Sequence, residues 1–170
     1  MTVARCRSRQ HPNQAALHAL QDSIDHVRTV IVPSMDKSPV TSEDLNDLAV
    51  RYAKAWCSQD PERVAAFYAK GGSISVNGAQ LVGIAEVARG FMRDFPDMVV
   101  RFDRLENTPN GIEFHWTFTG TNTGPGGTGR EIRISGYELW KIDNDGLVAK
   151  SKGHFDAADF EQQLGKRGAG

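Results

Sequence analysis

Residues 131–155 read EIRISGYELWKIDNDGLVAKSKGHF, and this stretch decides the fold. Apolar and polar positions alternate from Glu131 to Asp143 and again from Leu147 to Phe155, the period of a strand rather than of a helix. Between the two runs, Asn144-Asp145-Gly146 supplies tight-turn chemistry, so the segments are expected to pair as an antiparallel hairpin. Moving toward the N-terminus, Met98–Asn107 and Ile112–Thr123 share the same period and are joined by Asn110-Gly111. A longer loop, Gly124-Pro125-Gly126-Gly127, links the second of them to Glu131. Four strands in a meander follow.

Upstream of Met98 the period is helical. Thr41 or Ser42 can cap a helix that begins with Glu43 and Asp44 and runs to about Ser58. Leu45, Leu48, Ala49, Tyr52, Ala55 and Trp56 fall on one face of it, which turns Tyr52 and Trp56 inward. Asp60-Pro61 opens a short second helix, with Pro61 where its missing N–H is harmless, and Gly71-Gly72 is read as its stop. Ser73–Val76 then forms a short strand, Asn77-Gly78 a tight turn, and Ile84–Phe95 a third helix, halted by Phe95-Pro96. After the last strand, Ala157–Leu164 reads as a closing helix. Helices first and a meander after them make an α+β domain, residues 41–165, with 166–170 as a tail.

Residues 1–40 form an N-terminal extension of different character, with Arg5, Arg7 and Arg9 early and no acidic residue before Asp22. Leu17, Leu20, Ile24, Val27 and Ile31 recur at helical steps ahead of Pro33, a stripe able to dock on the domain or on a partner. The same segment reads equally as a frayed tail, or as sequence upstream of a true start at Met35.

Across the 170 residues, 39% are hydrophobic and 24% charged, and the net charge is -1 with both signs interleaved. This is a globular composition without the basic footprint of a nucleic-acid binder. Two cysteines, Cys6 and Cys57, make neither a disulfide framework nor a metal cluster, which fits the reducing cytoplasm. No apolar run is long enough to span a bilayer, and no apolar secretory block opens the chain. The expectation is a cytoplasmic protein with no membrane and no nucleic-acid partner.

Chemistry concentrates at the end of the sheet. His154 and Asp156 stand two residues apart, so a strand continued through both puts them on one face. If Ile142 lies opposite Val148, Glu138 falls opposite Lys152 and Gly136 opposite His154, and Glu138, Lys152, His154 and Asp156 become the polar floor of a pocket. Each has a plainer alternative: a solvent-facing Glu138–Lys152 pair, a surface or satisfied core histidine, and an Asp156 that caps the helix at Ala157. His154-x-Asp156 also has the form of a strand metal pair, but no third ligand with diagnostic spacing accompanies it, so no metal site is assigned. Tyr52, Trp56, Phe91 and Phe95, with Trp116 and Phe118, supply apolar wall, and Ser75 and Asn77 are candidate polar groups beside it. His115 alternates away from Phe114, Trp116 and Phe118, the face expected in the core. The glycine-rich loop opens no helix and is no phosphate cradle.

The ordered set of Trp56-Cys57-Ser58-Gln59-Asp60, Phe67-Tyr68-Ala69, Gly83, Phe95-Pro96-Asp97, Gly120-Thr121-Asn122-Thr123-Gly124, Gly129-Arg130, Asp145-Gly146-Leu147-Val148, Asp156 and Gln163-Leu164-Gly165 resembles the SnoaL-like polyketide cyclase branch of the NTF2-like superfamily. The resemblance spans most of residues 45–165. It implies a cone of three N-terminal helices in a strongly bent antiparallel sheet with a short C-terminal helix, and a small-molecule ligand inside. It further implies a cofactor-independent cyclase, isomerase or lyase with Asp156 as general acid/base, assisted by His154 or Glu138. Cyclases of the family often carry tryptophan where this chain has Lys152, which points to a more polar or anionic ligand. The alternative is a noncatalytic ligand-binding or dimerisation module, since domains of this superfamily commonly form homodimers through the outer sheet face.

Overall fold

The computed structural model describes residues 40–81 and 83–165, so the apolar stripe from Leu17 to Ile31 and the tail after Gly165 lie outside the described residues. Helix α1, Ser42–Trp56, begins where the Thr41 hydroxyl accepts the Asp44 N–H at 3.2 Å while the Asp44 carboxylate accepts the Thr41 N–H at 2.9 Å. This reciprocal cap satisfies two backbone donors that the helix itself cannot. The helix buries Leu48, Ala49, Tyr52, Ala53, Ala55 and Trp56, the face expected from its spacing. Helix α2, Pro61–Ala65, starts from an Asp60 cap with Pro61 in the first turn.

Gly71-Gly72 does not stop α2, as the sequence reading held. The helix ends at Ala65, and strand β1, Tyr68–Val76, runs through both glycines. They absorb an irregularity between Tyr68 and Ser73 in the pairing of β1 with the last strand. Gly71 sits at φ +76, and a Cβ on Gly72 would come within 2.9 Å of the Ala69 carbonyl oxygen. The turn at Asn77 and Gly78 has positive φ at both residues and leads into strand β2, Ala79–Leu81. Helix α3, Ile84–Asp94, follows, and Phe95 ends it.

Strands β3, Val99–Thr108, β4, Gly111–Thr121, β5, Glu131–Ile142, and β6, Val148–Phe155, form the expected meander, and helix α4, Ala157–Gln163, closes the domain. The six-stranded sheet is ordered β2-β1-β6-β5-β4-β3. It is not wholly antiparallel, because β1 lies parallel to β6. Helix α3, between β2 and β3, carries the chain to the far edge of the sheet, and the meander returns from there to set β6 beside β1 in the same direction. Tyr52 of α1 is fully buried against the inner sheet face, with its ring 5.4 Å from Phe114 and 5.1 Å from Trp140, both edge-on.

Candidate functional site

Strand β5 carries the side chain around which the site is built. Glu138 points to the inner face with Trp140, because Phe114 and Glu138 are cross-strand partners and the aromatic face of β4 is buried. Its neighbours on β6 differ from those expected. Ile142 does lie opposite Val148, but the ladder shifts between Lys141 and Ile142, so Lys141 pairs with Lys150 and Ala149 is skipped. Beyond that bulge Glu138 faces Gly153, Leu139 faces Lys152 and Tyr137 faces His154. One extra residue transfers Ser151 and Gly153 to the inside and Lys152 and His154 to the outside.

The proposed four-residue floor is therefore taken apart. Lys152 is exposed on the outer face. His154 is on that face too, stacked on Tyr137 with ring centroids 4.9 Å apart. Asp156 is exposed and caps α4, accepting the Asp159 N–H at 3.0 Å. Asn77 is an exposed turn residue whose side-chain oxygen accepts the Phe155 N–H at 3.0 Å, and half-buried Ser75 is the β1 partner of Lys152. Glu138 alone of the floor lies inside.

What surrounds Glu138 is a set of donors. Its Oε2 accepts Ser151 Oγ–H at 2.6 Å, Trp140 Nε1–H at 2.9 Å and Tyr52 O–H at 3.1 Å. The Tyr68 hydroxyl lies 2.9 Å from that of Tyr52 and, with the Tyr52 proton directed at Glu138, donates to it. Oε1 receives only a long 3.4 Å contact from Tyr52. Burial pushes the Glu138 carboxyl above the usual range, against the opposing hydrogen bonds from Ser151, Trp140 and Tyr52. Burial and the nearby Glu138 charge likewise raise both tyrosines, which keeps them protonated as donors.

Glu138 lines a cavity of about 60 Å³, where a single water needs roughly 10–15 Å³. Its walls include Trp56, Phe91, Trp116, Phe118, Ile134 and Phe155. Glu138 is the one charged residue among the lining positions, and no lysine, arginine or histidine accompanies it. Trp56, Phe91 and Trp116 are thus where the sequence reading placed them, and Tyr52 stands behind Glu138 as its donor. Ser151, Tyr68 and Trp140 were missed as site residues. Ser151 stands between Lys150 and Lys152, and only the bulge at Ala149 turns it inward.

One cluster with metal-ligand chemistry exists among the described residues, and it is away from the cavity. His115 Nε2 lies 3.0 Å from Glu113 and 3.6 Å from Glu106. The Arg104 guanidinium, 3.4 Å from Glu106, already supplies a cation there.

The profile of the SnoaL-like domain family matches residues 49–151. No curated protein matches the sequence significantly. Among solved structures, TsrD from Streptomyces laurentii aligns over 75% of this chain and 98% of its own, with 21% identity and a TM-score of 0.65. A Jannaschia sp. CCS1 protein classed as a SnoaL-like polyketide cyclase aligns over 78% and 99%, at 16% identity and TM-score 0.63. A Catenulispora acidiphila protein with a ketosteroid isomerase-like fold, in complex with trimethylamine, aligns over 71% and 94%, at 13% identity and TM-score 0.62. These likenesses concern the fold. No helix among the described residues is long and apolar enough to cross a membrane.

Proposed function

The chain belongs to the SnoaL-like domain family of the NTF2-like superfamily, and from that premise we propose that it is an acid/base enzyme acting on a small, partly apolar organic molecule, with Glu138 carrying the proton. One observation supports this above all: the single charged residue of an apolar cavity is a carboxylate whose Oε2 is fully committed to donors while Oε1 is not. A carboxyl held above its usual range is suited to take and return a proton near neutral pH. In the proposed step, Oε1 removes a proton from carbon next to a carbonyl, leaving an enolate. The same proton returned to another carbon gives an isomerase; attack of the enolate carbon on a second carbonyl, whose oxygen becomes an alkoxide and takes the proton back from Glu138, gives a cyclase. Such proton transfer needs no group beyond Glu138 itself. In this reading Asp156 serves α4 as its cap.

The test is solvent deuterium exchange into the α-carbons of a small ketone, cyclopentanone, followed by NMR. Exchange above the buffer rate that disappears in Glu138→Gln, with the fold intact by circular dichroism, is the expected result. Equal exchange in the variant overturns the assignment to Glu138.

A second reading, a noncatalytic binding module, is favoured by the small volume of the cavity and by a carboxylate that could simply terminate a buried hydrogen-bond network. Binding of cyclopentanone without exchange supports it. A homodimer through the outer sheet face, and a cytoplasmic location consistent with the free thiol of Cys57, complete the proposal. Light scattering at several concentrations decides the first.

A further inference from the structure

Trp116 sits on β4 opposite Gly136, and the absence of a Cβ there lets its ring lie against β5: an added Cβ would be 2.8 Å from Trp116 Cζ2. Phe155 meets the indole edge-on at 6.3 Å. The Trp116 Nε1 is buried and has no hydrogen-bond partner among the described residues. By contrast, the Trp140 Nε1–H is committed to Glu138. A buried N–H left without an acceptor is costly, and native proteins seldom keep one without a use for it.

The polar side-chain groups of the cavity lining are the Glu138 carboxylate and the indole N–H groups of Trp56 and Trp116, and the Trp56 N–H is already directed at the Tyr52 hydroxyl. Glu138 is an acceptor already supplied with donors; Trp116 is a donor without an acceptor. The lining has no cationic side chain to match a carboxylate or phosphate, and the Glu138 charge would repel either. Lys152, the residue that suggested an anionic ligand, is exposed on the opposite face. We infer that the Trp116 indole N–H recognises the oxygen of the ligand, and that the ligand is a neutral carbonyl compound with an apolar body. An amine would be drawn to Glu138 but would leave the Trp116 N–H unmatched. The half-buried Phe155 and Phe91 are the walls that yield to admit it. The inference rests on the proposed function for the cavity as the ligand site, and does not require turnover.

Cyclopentanone and methylenecyclopentane differ by replacement of the carbonyl oxygen with a methylene, so the pair isolates the hydrogen bond. In the full chain, cyclopentanone should bind roughly three- to tenfold more tightly, the scale of one neutral hydrogen bond. It should also shift one indole N–H resonance in the ¹⁵N–¹H spectrum, identified as Trp116 by its absence in Trp116→Phe. In that variant the two probes should bind equally. Equal binding of the two to the unaltered protein, or an unmoved Trp116 resonance on saturation with the ketone, overturns the inference, as does failure of the ketone to bind. Ketone preference without deuterium exchange sinks the acid/base reading and leaves this inference standing. Exchange without ketone preference does the reverse.

Discussion

Ser151 Oγ donates to Glu138 Oε2 across 2.6 Å, the shortest of the three bonds that this oxygen accepts. The pair joins two strands whose facing residues are Glu138 and Gly153, so Ser151 reaches diagonally, from the position opposite Trp140. Hydrogen bonds to a carboxylate favour its ionised form, and Ser151 leads those that hold Glu138 down against its burial. Ser151→Ala should therefore raise the Glu138 carboxyl further and move the pH profile of ketone exchange in the alkaline direction. The loss of stability should be about 1–3 kcal/mol. A ¹³C-carboxyl titration and a urea melt measure the two effects separately.

Glu138→Ala removes the acceptor from Ser151, Trp140 and Tyr52 together, and leaves three buried donors facing a void. A loss of about 3 kcal/mol or more is expected, well beyond that of Glu138→Gln, which keeps one carbonyl oxygen for them. Urea denaturation of the three proteins side by side provides the comparison.

The raised Glu138 carboxyl also fixes the sign of a pH effect. Between the ordinary glutamate value and the raised one, the folded chain holds a proton that the unfolded chain has lost. Its contribution to stability is fully present below the ordinary value and is lost as pH rises through the raised one. Glu138→Gln cannot lose that proton. The stability of the unaltered protein relative to this variant should fall as pH rises across the window and level off beyond it. A relative stability that rises with pH across the window would contradict the assignment.

Much of this architecture was legible because local chemistry agrees with it: the Thr41–Asp44 cap, Pro61 in a first turn, Asn77-Gly78, and the period-two runs of the meander. What failed was non-local. Whether Gly71-Gly72 ends a helix or relaxes a bulged strand depends on β6, far along the chain, and so does the parallel pairing of β1. The decisive error was a single residue. Alternation carried past Ala149 without the bulge puts Lys152 and His154 inside, where the structure has Ser151 and Gly153. The expected Glu138–Lys152 pair therefore became Glu138 against Gly153. The apolar walls survived because Trp56, Phe91 and Trp116 depend on periods within their own elements.

Asp156 offers a direct contrast between its two readings. As the cap of α4 it accepts the Asp159 N–H, and Asp156→Ala should lower stability by about 1 kcal/mol while Asp156→Asn restores most of it. Because Asp156 is absent from the cavity lining, neither variant should change the affinity for cyclopentanone or its deuterium exchange by more than about twofold, within roughly 0.4 kcal/mol. Loss of exchange in Asp156→Asn with unchanged stability would return the acid/base role to this residue.

Gly136 is where the sheet and the cavity constrain each other. An added Cβ would meet the His154 carbonyl oxygen on the neighbouring strand as well as Trp116 Cζ2 and Cη2 at 2.8 and 2.9 Å. The indole could turn away, but the carbonyl belongs to the backbone of β6 and can move only with the ladder. Gly136→Ala should therefore destabilise the domain by about 2 kcal/mol, in the range of other overpacked interiors. It should also displace the Trp116 ring, with a change in the chemical shift of its indole N–H even without a ligand. If the glycine merely tolerated its neighbours, the substitution would leave both the urea midpoint and that resonance where they were. A shifted resonance with an unchanged midpoint would locate the strain in the indole alone, and would show that β6 yields to the new methyl at little cost.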